Sequence, residues 1–101
     1  MKLTVIKDDG SIYKDKWVYM DLDLLCVPED VHPLQWDTNT GWLEFKDGRA
    51  NQDIKTLPIW ANECLNLWQV AWDAEQAAIE AERLAEEARL AEEAALAEAV
   101  V

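Results

Sequence analysis

The chain has 101 residues, of which 50% are hydrophobic, and a formal net charge of −12. This length predicts one small domain with an appended segment. The acidic balance disfavours nucleic acid and anionic membranes as partners, because both would repel the chain. The apolar run at residues 1–6 is too short for a secretory signal, and no segment approaches the ~20 apolar residues of a membrane span.

Short apolar runs in the first half of the chain predict strands. They lie at residues 3–6, 12–19, 34–36 and 42–45. The second run contains Lys14-Asp15-Lys16, which is a candidate hairpin tip. The last two runs are joined by residues 37–41, whose composition predicts a turn.

The connecting segments are polar or rich in turn formers. Asp8-Asp9-Gly10 predicts a turn, and Pro28 and Pro33 bracket a predicted loop. Residues 49–55 are polar and are predicted to be irregular. Residues 21–27 fit no single type of structure.

A single long helix is predicted for the second half of the chain. Pro58 suits the first position of a helix because its missing N–H costs nothing there, and no Pro or Gly follows between residues 59 and 99. Such a helix would be roughly 60 Å long at ~1.5 Å per residue. The expected fold class is therefore α+β. A small antiparallel sheet of about four short strands occupies residues 1–56, and one long C-terminal α-helix occupies residues 57–101.

The predicted helix has two halves of different composition. Residues 59–79, the contact half, carry apolar side chains over an arc wider than one sheet would cover, which predicts self-association as a dimer or trimer. Residues 80–101 form an Ala/Glu-rich extension with a repeat of six residues. Six residues turn a helix ~240° beyond a full turn, so the repeated leucines form no coiled-coil seam. The extension is a candidate spacer, solubilising handle or clasp ordered by a partner.

The sequence contains no recognisable pattern for catalysis, cofactor binding or metal binding. His32 has no nucleophile near it in a motif, so a structural role is expected. Residues 37–41 begin like a calcium loop, but Gly48 occupies the position that requires a bidentate Glu, and we interpret the segment as a turn. Cys26 and Cys64 lack the CxxC spacing and are interpreted as two buried or half-buried thiols, with a disulfide as the alternative.

Six tryptophans are the strongest remaining signal in a chain of this size. Three are expected to build the core: Trp36, Trp42 and Trp60. The other three are candidates for an interface, because tryptophan is enriched in contact hot spots: Trp17, Trp68 and Trp72. All six are candidate partner-binding residues, and the alternative is that all six simply fill a small core.

Three segments together carry a family resemblance: His32-Pro-Leu-Gln-Trp-Asp37, Thr40-Gly-Trp-Leu-Glu-Phe-Lys-Asp-Gly48 and Leu57-Pro-Ile-Trp60. They resemble small proteins associated with the tail fibres of tailed bacteriophages and prophages. The similarity covers about residues 1–72, and the extension matches in composition only. The resemblance implies a protein that binds the tail fibre as an assembly chaperone or as an attached structural component. Its location would be the host cytoplasm during assembly or the virion tail, and no catalytic residue or cofactor is implied.

Two other classes of function remain open at this point. An acidic inhibitor of a host nucleic-acid-binding defence protein would mimic the charge of nucleic acid, although nine of the 21 acids lie in residues 73–101. An enzyme has the least support, because no nucleophile with a neighbouring base is recognisable. We therefore expect a non-enzymatic interaction protein.

Overall fold

The computed structural model describes residues 1–100, which form six strands and one helix. In chain order these are β1 (Lys2–Ile6), β2 (Ser11–Lys14), β3 (Trp17–Tyr19), β4 (Val31–Asp37), β5 (Thr40–Phe45), β6 (Gln52–Ile54) and α1 (Ile59–Val100). The α+β class and the long C-terminal helix are confirmed, and α1 begins directly after Pro58. The expectation of about four strands is wrong, because the sheet has six.

The two strands beyond the expected four are β6 and the second strand of the predicted hairpin. β6 belongs to a stretch predicted to be irregular, and it pairs with β5 along one edge, so main-chain hydrogen bonds rather than an apolar face hold it. The predicted hairpin supplies two strands, β2 and β3. β4 begins at Val31 rather than at Leu34, so His32 and Pro33, joined by a cis peptide bond, lie in a strand and not in the predicted loop. The register shift between Val31 and Leu34 accommodates the proline, because a bulge needs no ladder hydrogen bond from it.

The strands form one antiparallel sheet with the order β3-β2-β1-β4-β5-β6. Two three-stranded meanders therefore meet where β1 pairs with β4. Residues 20–30 form the crossover between the meanders. This crossover is attached to the sheet by the Leu22 N–H, which donates to Gly10 O at 2.9 Å, and by Lys7 Nζ, which donates to Val27 O at 2.6 Å.

The hydrophobic core lies between one face of the sheet and the first turns of α1. The sheet and the crossover contribute aliphatic residues and one tryptophan: Leu3, Val5, Ile12, Leu24, Val27, Val31, Leu34, Trp36 and Leu43. From the helix, Ala61, Cys64 and Trp68 are buried, and their spacing of three and four residues places them on one stripe. The Trp68 ring meets Tyr19 edge-on at 5.6 Å between centroids, and its indole N–H donates to Trp17 O at 3.3 Å.

This stripe is only part of the apolar surface of the 59–79 contact half. Leu65 and Leu67 are half-buried, whereas Val70 and Ile79 are exposed. The sheet thus covers one side of the helix, as expected. Self-association through the remaining apolar surface stays a prediction.

The chain divides into two compact units, Met1–Val70 and a second that begins at Ala71. In the second unit the three leucines of the repeat are exposed: Leu84, Leu90 and Leu96. Arg83 and Arg89 each form two salt bridges, one with the glutamate three residues before and one with the glutamate four residues after. These salt bridges link successive turns of the helix. Within residues 1–100, α1 has no stretch apolar enough to span a bilayer.

Candidate functional site

The face of the sheet opposite the core carries a continuous row of side chains across all six strands. Register partners on neighbouring strands stand side by side on the same face, and the row follows from the pairing of each strand with the next. Side chains along a strand alternate between the two faces of the sheet. The residues of this row therefore point away from the core, because the residues next to them in each strand are on the core side. We call the row the open face: Val18, Tyr13, Thr4, Gln35, Trp42 and Asp53.

The open face has accessible apolar groups on both sides of a polar centre. Tyr13, Val18 and Trp42 are 41%, 40% and 41% exposed. β2 and β5, which carry the two rings, are three strand spacings apart, or about 14 Å. Between them, Thr4 Oγ1 donates to Gln35 Oε1 at 2.7 Å. The arrangement offers two apolar anchor points separated by a hydrogen-bonded pair.

The Trp42 side chain is held in place before any partner binds. Its indole N–H donates to Glu44 Oε2 at 3.1 Å, and Glu44 lies two residues along on the same face. A ring with a satisfied N–H presents its apolar surface without an unpaired polar group. Holding such a ring in advance reduces the conformational entropy lost on binding.

Two shallow depressions flank the polar centre and share Lys2 and Thr4 in their walls. One, of about 350 Å³, lies beside Tyr13, and the other, of about 210 Å³, lies beside Trp42. Their walls combine apolar surface with hydrogen-bonding groups, which suits the side chains of a partner protein. Neither wall contains a nucleophile paired with a base.

Comparison with protein-family models, curated proteins and solved structures finds no match for this chain. The open face is therefore interpreted from its own geometry, and the resemblance to tail-fibre-associated proteins stays a prediction.

The structure separates the six tryptophans into different environments. The expectation that Trp42 lies in the core is wrong: alternation along β5 points Leu43 inward and Trp42 outward. Trp68, a candidate for an interface, is buried in the core of the chain itself. Trp36 is buried as expected, whereas Trp60 and Trp72 are half-buried and Trp17 is 57% exposed. Of the six candidates, Trp42 alone belongs to the open face.

Sequence reasoning missed Tyr13, Val18, Thr4 and Gln35 as members of a surface. The alternation was visible on β1, where Thr4 lies between two aliphatic residues, and on β2, where Tyr13 follows Ile12. The strand order was not visible, and only that order places these residues in one row.

His32 lies near a set of salt bridges around β4 and β5. Its Nδ1 lies 3.7 Å from Asp8 Oδ2, which is too far for a hydrogen bond. Lys46 Nζ donates to Asp8 Oδ1 at 2.6 Å, and this hydrogen bond lowers the pKa of the Asp8 carboxyl. The hydrogen bond from Arg49 likewise lowers the pKa of Asp30. In the described part of the chain, no group of three or more His, Cys, Asp or Glu side chains is arranged to hold a metal ion.

The two cysteines meet where the crossover packs on α1. The sulfur atoms of Cys26 and Cys64 lie 3.6 Å apart, and both are free thiols. Cys64 is buried and Cys26 is half-buried, which confirms the expected burial. Burial raises the pKa of the Cys64 thiol to about 12.

Iodoacetamide at neutral to mildly alkaline pH is expected to modify Cys26 well before Cys64 in the folded chain. The thiolate is the reacting species, and Cys64 is both inaccessible and rarely ionised because its pKa is raised to about 12. Mass spectrometry of peptides from a time course gives the two rates, which should converge in denaturant. Equal rates in the folded chain would contradict the burial of Cys64.

Proposed function

We propose that this chain is a non-enzymatic interaction protein that binds a partner protein through the open face. The single observation behind the proposal is the exposed row across six strands, with Tyr13 and Val18 on one side of the Thr4–Gln35 pair and Trp42 on the other. Aromatic residues are enriched at contact surfaces between proteins, and exposed apolar groups that lie together mark such surfaces. Trp42 is the expected hot spot, because a tryptophan fixed by Glu44 has a large area to bury and little freedom to lose.

The partner that we propose is the tail-fibre protein of a tailed bacteriophage or prophage. The support for this choice is where the resembling segments lie in the fold. They supply β4 and β5, and within them Gln35 and Trp42 are register partners on the open face. Two residues of the resembling segments, Gln35 and Trp42, thus lie on the open face, whereas Leu34, Trp36 and Leu43 from the same segments are buried in the core. The chain would act in the host cytoplasm during fibre assembly, as a chaperone, or stay attached in the virion tail.

Co-expression with the fibre protein of the phage or prophage that encodes this chain tests the proposal. We expect the two proteins to co-purify, and we expect Trp42→Ala to weaken the dissociation constant about tenfold or more, as for a tryptophan hot spot. Recovery of the chain in purified virions would indicate a structural component. Its absence from virions, together with poor folding of the fibre when the chain is omitted, would indicate a chaperone.

Trp17→Ala is the matched control, because Trp17 is also exposed but its register partner Lys14 places it on the core side of the sheet. We expect this variant to bind normally. A fibre protein that folds without the chain and never co-purifies with it would reject the proposed partner. Loss of binding in Trp17→Ala with normal binding in Trp42→Ala would reject the open face.

A further inference from the structure

A second surface lies away from the open face, in a groove between the crossover and α1. Its volume is about 360 Å³, and its walls come from the two elements in Met1–Val70: Asp23, Leu25, Cys26, Glu63, Asn66, Leu67 and Val70. The helical members are spaced by three or four residues, so they share one side of α1. Along the helix they extend over about 10 Å. This side of α1 is distinct from the stripe that packs on the sheet.

Four residues that line the groove are apolar, and two of these are largely exposed. Leu25 is 81% exposed and Val70 is 67% exposed, and Leu67 and Cys26 between them are half-buried. A leucine that is left in water, as Leu25 is, contributes little to the stability of the fold. Facing apolar residues on a helix and a loop are therefore suited to enclose apolar side chains of another molecule.

Two other lining residues of the groove are acidic. Asp23 stands on the crossover side and Glu63 on the helix side, and both are exposed. Within residues 1–99 neither carboxylate takes part in a salt bridge, whereas the acids beside β4 and β5 are paired with Lys46 and Arg49. Two carboxylates without salt bridges, next to apolar lining residues, favour a ligand that has cationic groups beside its apolar ones.

We propose that this groove binds a basic amphipathic helix of a partner protein. Two apolar side chains spaced by four residues lie about 6 Å apart along such a helix, which is less than the length of about 10 Å that the helical members of the groove cover along α1. Lysine or arginine residues beside them would pair with Asp23 and Glu63. A basic helix is favoured over a second copy of this chain as the occupant of the groove itself, because a chain with a net charge of −12 offers few cations to Asp23 and Glu63. The predicted self-association would then use apolar residues of the contact half outside the groove. This site is independent of the open face and of the tail-fibre assignment.

The test uses a designed helical peptide of about 16 residues, with two leucines spaced by four and with flanking lysines. A second peptide replaces the lysines with glutamates, and a third replaces the leucines with serines. Fluorescence anisotropy of each labelled peptide with the full chain measures binding at low and at physiological salt. We expect the first peptide alone to bind, and we expect salt to weaken it.

Variants then locate the peptide on the chain. Leu25→Ser and Val70→Ser are each expected to weaken binding about fivefold or more, and Leu90→Ser, an equally apolar change in the extension, is expected to have no effect. Asp23→Asn combined with Glu63→Gln should also weaken binding. Its control is Glu92→Gln combined with Glu93→Gln, which changes the net charge by the same amount at a distant helical site.

Several results would overturn this proposal. Equal loss of binding in the two charge variants would show general attraction to an acidic chain rather than a site. Binding unaffected by Leu25→Ser and Val70→Ser would place the peptide elsewhere. Self-association in sedimentation that Leu25→Ser abolishes would make a second copy the occupant. All of these variants change exposed residues, so circular dichroism should show an unchanged fold.

Discussion

Replacing Trp68 with alanine is expected to lower the free energy of unfolding by about 3–5 kcal/mol, as for a buried tryptophan. Trp68 is 5% exposed and contacts Tyr19, the carbonyl of Trp17 and the ammonium of Lys14, which lies 4.5 Å from its ring centroid. Its removal would leave a cavity under β2 and β3 and would separate α1 from this edge of the sheet. Urea denaturation, followed by the fluorescence of the remaining tryptophans, measures the change.

Trp42→Ala is the control for this prediction, since it removes the same side chain from an exposed position. We expect it to cost about 1 kcal/mol or less. The loss of unfolding free energy in Trp68→Phe should lie between the losses in Trp68→Ala and Trp42→Ala. Small domains have only about 5–15 kcal/mol of total stability, so Trp68→Phe provides a folded variant for the comparison if Trp68→Ala does not fold. Equal losses in Trp68→Ala and Trp42→Ala would contradict the assignment of Trp68 to the core.

Gly41→Ala is expected to destabilise the chain by about 3 kcal/mol or more, at the upper end of overpacking effects. A Cβ atom on Gly41 would lie 2.1 Å from Gln35 O and 2.9 Å from the Trp36 Cα. Both are main-chain atoms of β4, which cannot rotate aside as a side chain would. The methyl group would force β4 and β5 apart beside the Gln35–Trp42 pair, so the variant should also lose partner binding.

Gly48→Ala separates this steric effect from the general effect of losing a glycine. A Cβ on Gly48 would meet nothing within 4 Å, but its φ of +82° is unfavourable for alanine. We expect a cost of about 1–2 kcal/mol from backbone conformation alone. Thermal unfolding of both variants gives the comparison. A Gly41→Ala variant as stable as Gly48→Ala would contradict the close approach of β4 and β5.

The parts of the fold that depend on local signals could be predicted from the sequence. α1 followed from Pro58 and from the absence of Pro and Gly in the residues after it. The turn within residues 37–41 was predicted from its composition, and the structure has a turn of two residues there, Thr38 and Asn39, between β4 and β5. β6 could not be predicted, because its residues are polar and its conformation comes from main-chain pairing with β5.

The candidate site could be predicted only in fragments, because it combines residues that are distant in sequence. The aromatic content of the sequence singled out Trp42, but the prediction that Trp42 lies in the core is wrong. Trp42 and Leu43 are both apolar, and the inward position goes to the residue that shares a face with Leu34. The position of Tyr13 beside Thr4 depends on the pairing of β2 with β1, and strand order of this kind is a property of the whole sheet.

The two proposed surfaces make different demands on the molecule. The open face requires an intact sheet and presents fixed aromatic groups around a hydrogen-bonded centre. The groove requires the crossover to stay attached to the sheet through Lys7 and Leu22. Variants at Trp42 and at Leu25 should therefore weaken binding to separate partners. A double variant should lose binding to both partners and remain folded.

The most direct test of the open face is photo-crosslinking to the co-expressed fibre protein. A photoreactive benzoylphenylalanine replaces Tyr13 in one sample and Trp17 in another, which changes an exposed aromatic residue on each side of the sheet. We predict that position 13 forms a covalent adduct with the fibre protein and that position 17 does not. An adduct from position 17 alone, or a stable complex in which position 13 forms none, would contradict binding through the open face.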